Sequence, residues 1–262
     1  KRHRSTIMNL KPQHYIPCLR WKLGEYQAVS KLTPSARNSI MPIIEIPEQG
    51  YDFEKKQNTK TLDEHLKLFT ARVKTKWGTT SECFLDMHHI PQSESLADGR
   101  SPAEFVFYDL KATKVRFIPV TRLHEFSLYE TTLHNFVNKE RHGLCLRVSL
   151  DEFGEDDFEI MAEDFLNSFG LAFSDCDLIL DLGAINFDPI LVFSSLLTDM
   201  MKSKPRLKQW ITFGIIGTSF PQTLAGITQG LSSLPRKEWI LYKSLLENLQ
   251  KEGVRIPFFG DY

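Results

Sequence analysis

Eight short apolar runs punctuate this chain, and between them apolar residues return at helical spacing. The runs cover 15–21, 40–46, 83–87, 115–120, 144–149, 178–183, 210–216 and 256–260. Near-continuous apolar character over so few residues is what a strand shows when both of its faces are covered, as in a parallel sheet. Helices are predicted over 25–37, 62–77, 102–112, 123–138, 155–169, 189–202 and within 221–251. In the second of these, Leu66, Phe69 and Val73 recur at i, i+3 and i+7. The third opens with Ser101 placed as an N-cap and Pro102 in the first turn, where its missing N–H costs nothing. The stretch 48–60 is polar and separates the second strand from its helix.

Strict alternation of strand and helix implies parallel strands joined by crossover helices. The first and last runs begin seven steps apart, about 34 residues per step, and eight such units make a (β/α)₈ TIM-type barrel. A doubly wound open sheet is the rival arrangement. The sequence predicts one barrel domain over 15–262, preceded by a flexible basic extension over 1–14. Internal repeats and low-complexity tracts are absent from the sequence.

Composition narrows the function classes. The net charge of −1 argues against a broad, non-specific grip on DNA, which requires a basic surface, but leaves room for a local basic pocket. No basic stripe interleaved with aromatics marks a groove for single strands. Cys18, Cys83, Cys145 and Cys176 lie far apart in or beside apolar runs, without metal-binding spacing. They read as buried free thiols of a reducing cytoplasm. No apolar run approaches the ~20 residues of a membrane span.

Barrels carry their working groups at the C-terminal ends of the strands and in the loops that follow. At those places stand Lys22 and Glu25 after the first strand, Glu45 on the second, Asp86 and His88 on the third and Arg122 after the fourth. Arg147 lies on the fifth, Asp181 on the sixth, the loop Gly217-Thr218-Ser219-Phe220-Pro221 after the seventh and Asp261 after the eighth. Charges at the ends of apolar strands must pair with each other, with a ligand or with a metal, because a lone buried charge costs several kcal/mol. Glu45, Asp86 and Asp181 are therefore candidate catalytic groups and ligands for Mg²⁺ or Mn²⁺, which would neutralise a phosphoryl group. Lys22, Glu25, Arg147, Ser219 and Asp261 are candidate substrate contacts, with backbone N–H groups of the Ser219 loop offered to phosphate. The same charges also suit a structural ion-pair network capping the barrel. His88 and His89 would face opposite sides of a continuing strand, so they cannot both ligate one metal. The acidic stretch 151–157 reads as a solvated loop and helix N-terminus.

The segments Tyr15-Ile16-Pro17, Lys22-Leu23-Gly24-Glu25-Tyr26-Gln27-Ala28 and Met41-Pro42-Ile43-Ile44-Glu45-Ile46-Pro47 resemble the opening of the phage-type beta protein family. Phe84-Leu85-Asp86, Ile118-Pro119-Val120, Leu146-Arg147, Leu180-Asp181, Ser219-Phe220-Pro221 and Gly260-Asp261-Tyr262 continue the likeness in order. The sequence departs from the pattern in its stretch before Tyr15 and in stopping at Tyr262, where members of the family continue. The resemblance implies a role in phage–host conflict, and no defined chemistry. Two functions remain open at this point. One is a metal-dependent phosphodiester hydrolase acting on a nucleotide or nucleic acid. The other is a non-catalytic barrel that senses a phage component or holds a protein partner from phage or from the same locus.

Overall fold

A computed structural model describes residues 14–124, 127–184, 186–221 and 233–262. The basic stretch 1–13 and the segment 222–232, part of the helical material expected after Pro221, lie outside the described residues.

The eight predicted strands form: β1 (Tyr15–Leu19), β2 (Ile43–Glu45), β3 (Glu82–Asp86), β4 (Arg116–Thr121), β5 (Cys145–Ser149), β6 (Asp177–Asp181), β7 (Phe213–Gly217) and β8 (Phe258–Asp261). They follow one another around a closed barrel, with β8 beside β1. Closure rules out the open doubly wound sheet. The described pairings within the barrel are parallel, for example Ile43 with Phe84 and Glu45 with Asp86, and Asp181 with Ile216. The chain divides into two compact units, one built on Pro17–Cys145 and the other on Leu146–Tyr262 with the start of β1.

In the first unit the helices are α1 (Leu23–Ser30), α2 (Pro34–Arg37), α3 (Leu62–Arg72), α4 (Pro102–Ala112) and α5 (Ser127–Glu140). The predicted span of α4 is met residue for residue. Ser101 Oγ accepts from Glu104 N at 3.1 Å, and Pro102 stands at the first helical position. In α3, Thr61 and Glu64 cap each other reciprocally, and Leu66, Phe69 and Val73 are buried as their spacing requires. The helix ends sooner than predicted. From Val73 to Trp77 it widens into a π-helical turn, closed by Gly78 at φ +89°. The polar stretch before α3 holds a small antiparallel hairpin, Tyr51–Asp52 with Gln57–Asn58. Phe107 lies 5.7 Å from the Phe117 ring and 5.0 Å from Phe136, a cluster that ties α4 and α5 to β4.

In the second unit the helices are α6 (Leu150–Gly154), α7 (Phe158–Ser168), α8 (Ile190–Lys202) and α9 (Lys237–Glu252). The acidic stretch behaves as the sequence suggested. Glu152 completes a capping box with Ser149 at the start of α6, and Asp151, Glu155, Asp156 and Asp157 are exposed. Phe153, Phe158 and Phe213 pack together, at 5.1 Å and 6.2 Å from the Phe153 ring. All four cysteines are buried thiols outside any disulfide. Burial pushes the Cys83 thiol well above its ordinary range, so it stays protonated and packs as a small apolar group. Among the described residues no helix is long and apolar enough to cross a membrane.

Candidate functional site

In the first unit, the register of β2 against β3 sets Glu45 directly beside Asp86 at the strand ends. Both carboxylates are buried, at 3% and 1% exposure. Asp86 holds a guanidinium fork: Arg122 donates to Oδ2 at 2.8 Å and to Oδ1 at 3.2 Å. Its Oδ1 also accepts from the backbone N–H of His88 at 2.9 Å, which bends the chain out of β3. The strand stops there, so His88 does not continue on the Asp86 face, and it is exposed. It is His89, turned back by the same bend, that comes within 3.6 Å of Glu45 Oε2, with Glu48 3.8 Å from its other ring nitrogen. Glu45 Oε1 accepts from the Cys18 thiol at 3.2 Å, and Arg20 Nε stands 3.8 Å from Oε2.

Lys22 and Glu25 sit beyond β1 in a local role. Glu25 Oε2 accepts from Lys22 N at 2.8 Å and closes the first turn of α1, while the Lys22 side chain points to solvent. The turn that leads there is made by Trp21, a buried residue held at φ +51°, a left-handed conformation that costs a bulky side chain about 1–2 kcal/mol.

In the second unit, β5 and β6 bring Arg147 and Asp181 together. Arg147 is buried, and its Nε and one terminal nitrogen donate to Asp181 Oδ2 at 2.9 and 2.6 Å. Asp181 Oδ1 accepts from Gly183 N at 2.8 Å. Tyr262 completes the group. Its hydroxyl accepts from Arg147 at 2.7 Å and donates to Asp181, and its ring lies 5.7 Å from the Arg147 guanidinium carbon.

Asp261 does not join them. Successive side chains of a strand face opposite ways. With Tyr262 reaching Arg147, Asp261 faces the α9 side, where it accepts from the Tyr15 hydroxyl and from Arg236. Ser219 also belongs to the base of α9. Its backbone N–H, expected to be offered to phosphate, donates to Glu238 Oε2 at 3.1 Å, and its hydroxyl donates to the same oxygen. A buried carboxylate thus fills the anion seat of that loop.

Sequence reasoning missed Glu238, Arg236 and Tyr262. Glu238 carries no signal in the sequence, because a first-turn helical glutamate is normally solvated. Tyr262 was recoverable, since the two-residue period sets it opposite Asp261. Burial pushes the Glu238 carboxyl up, but hydrogen bonds from Ser219 and Arg236, with the backbone at the start of α9, outweigh burial and hold it below its ordinary value of 4.5. A carboxylate with a depressed folded pKa stabilises the fold above its unfolded pKa, and the contribution fades as pH falls through the folded value. The thermal midpoint of Glu238→Gln should therefore lie below that of the native chain near pH 7, with the gap narrowing below about pH 4.5. Melting curves across that range check it, and a gap that widens in acid contradicts the assignment.

Among the described residues, no three His, Cys, Asp or Glu side chains stand together as a metal-holding group. Asp86 and Asp181 both accept from guanidinium and from backbone N–H. Each of the two carboxylates is therefore matched by a guanidinium.

A family model described as Beta protein matches residues 15–262. No curated protein matches the chain at a significant level. Among solved structures, the chain is similar to an endo-beta-1,4-mannanase double mutant of Cellulomonas fimi. The TM-score is 0.48 at 12% identity, over 95% of this chain and 64% of that one. The chain therefore spans less than two thirds of that protein's length.

Proposed function

Since the chain belongs to the Beta protein family, we propose that it is a phosphate- or nucleotide-binding barrel acting in phage–host conflict, with Arg147 as its anion-recognising group. The observation that carries this reading is the Arg147–Asp181–Tyr262 group. A buried guanidinium held in place by a carboxylate is pre-organised for oxygen ligands, because its fork geometry matches phosphate and its orientation is already fixed. The Tyr262 hydroxyl marks an oxygen position 2.7 Å from Arg147. A phosphate oxygen entering there takes over the bond from Arg147 as the phenol swings away. The setting in phage–host conflict follows the resemblance to phage-type proteins.

The test is calorimetric titration with ATP and inorganic pyrophosphate without added metal. Saturable binding is expected. Arg147→Lys, which keeps the charge and loses the fork, should weaken it by about tenfold or more. Absence of binding to either probe overturns the proposal. A hydrolytic reading of Glu45, Asp86 and Asp181 with Mg²⁺ or Mn²⁺ needs these carboxylates to leave their present partners. Metal-dependent release of product from a nucleotide or nucleic acid would favour it over simple binding.

A further inference from the structure

From the last residue of α8 onward the chain sets four cations in seven residues, Lys202, Lys204, Arg206 and Lys208. A 3₁₀ turn over Pro205–Gln209 divides them. Arg206 turns to Glu163 of α7, 2.6 Å away. The three lysines instead line a pocket of about 270 Å³, together with Arg255 and with Glu252 at the end of α9. Met201, Leu207 and Val254 give it an apolar wall. All of these residues belong to the second unit.

The charges of this lining do not cancel. Lys202 is answered by Glu252 at 2.7 Å. Lys204 is 4% exposed, and its ammonium donates to the backbone carbonyl of Glu155 at 2.6 Å. Arg255 is half-buried, and its terminal nitrogens donate to the carbonyls of Leu207, Trp210 and Ile211 at 2.6, 2.7 and 3.0 Å. Among the described residues, none of Lys204, Lys208 and Arg255 has a carboxylate within 4.0 Å. Asp177, outside the lining, attracts the Arg255 charge from farther off, but burial outweighs it and holds that guanidinium below its ordinary range. Glu252 and Asp177 thus answer two of the four cations, and Lys204 and Lys208 are left over. A buried ammonium met by a carbonyl alone calls for an opposite charge, because taking it from water is costly. Two surplus positive charges suit a dianion. The Arg255 fork is turned onto carbonyls, so the lysines face the ligand, and ammonium groups act as point charges toward the compact head of a phosphate. The volume lies below the range of drug-sized sites, roughly 300–1,000 Å³, and fits a head group with a short carbon chain.

We propose that this pocket binds a small phosphate monoester, its head at Lys204 and Lys208 and its carbon chain against Met201, Leu207 and Val254. It shares no residue with the Arg147 group and does not depend on that reading. The probe is n-propyl phosphate at about pH 8, where the monoester is a dianion. It is titrated calorimetrically at fixed ionic strength, with butyrate as a monoanion of similar size. The phosphate should bind saturably, and butyrate about tenfold more weakly or less. Lys204→Met keeps the length of the side chain and removes its charge. It should weaken phosphate binding about tenfold or more while melting with the native chain. Lys208→Ala, at an exposed position, should weaken it about threefold and leave the fold untouched. Absence of binding, equal binding of butyrate, or full affinity in both lysine variants overturns the proposal. Arg147→Lys should bind n-propyl phosphate as the native chain does, and Lys204→Met should bind ATP as the native chain does, so either reading can fail alone. Affinity lost in Arg147→Lys and kept in Lys204→Met would place the phosphate at Arg147 and overturn this site.

Discussion

Replacing Asp86 with alanine is expected to lower the unfolding free energy by about 3–5 kcal/mol, the cost of leaving a guanidinium in a largely buried place without its carboxylate. The side chain of Asp86 is 1% exposed and that of Arg122 is 21% exposed, so water can repair little of the loss. The same change takes the acceptor from His88 N–H and frees the bend that ends β3. Asp86→Asn should fall between the two, because it keeps an acceptor for that N–H but not the charge. Urea unfolding of the three proteins measures this. A loss under about 1 kcal/mol for the alanine variant would mean that the pair is screened as at a surface. Such a result, joined to an effect on ligand or turnover, would move Asp86 from scaffold to site.

Gly260→Ala should be as damaging for a different reason. A Cβ at this position would press into the carbonyl oxygen of Ile16 and come within 2.6 Å of the Ile216 side chain. The first obstacle is backbone of the neighbouring strand, which cannot rotate aside, so β8 must shift away from β1 or lose its pairing. Overpacking usually costs about 1–3 kcal/mol, and a clash with fixed backbone belongs at or beyond the upper end. Gly24→Ala is the contrast. Nothing lies within 4 Å of its added Cβ, and Gly24 sits in α1. There alanine should be neutral or stabilise by up to about 1 kcal/mol through its helix preference. Comparing soluble yield and urea midpoints of the two variants tests the argument, and a well-folded Gly260→Ala protein would contradict it.

The architecture was legible because the physics that builds a barrel leaves a short-range trace. A strand covered on both faces must be apolar at successive positions, and 144–149 or 178–183 can hardly read otherwise. The start of α4 was legible to the residue, since Ser101 and Pro102 each do there what few other residues do. What escaped depends on contacts between segments distant in sequence. No local pattern announces that Val73–Trp77 widens into a π-helical turn, or that the polar stretch before α3 folds into a hairpin. The candidate site was legible in parts. Glu45 with Asp86, and Arg147 with Asp181, do come together. Lys22, Glu25, Ser219 and Asp261 have local or outer-face duties instead. Residue type and strand position said that these groups stand near strand ends, and could not say which partner each would find.

The last strand carries a consequence of its own. Phe258, Gly260 and Tyr262 share one side of β8, and Phe259 and Asp261 the other. Two consecutive residues therefore serve different chemistry: a phenol against Arg147, and a carboxylate against Arg236. Sliding this strand by a single residue would exchange them, sending an acid toward Arg147 and a ring toward solvent. Removing one residue between Arg255 and Phe258 thus amounts to a double replacement in which no side chain has been mutated, and both ends of the unit would record it at once.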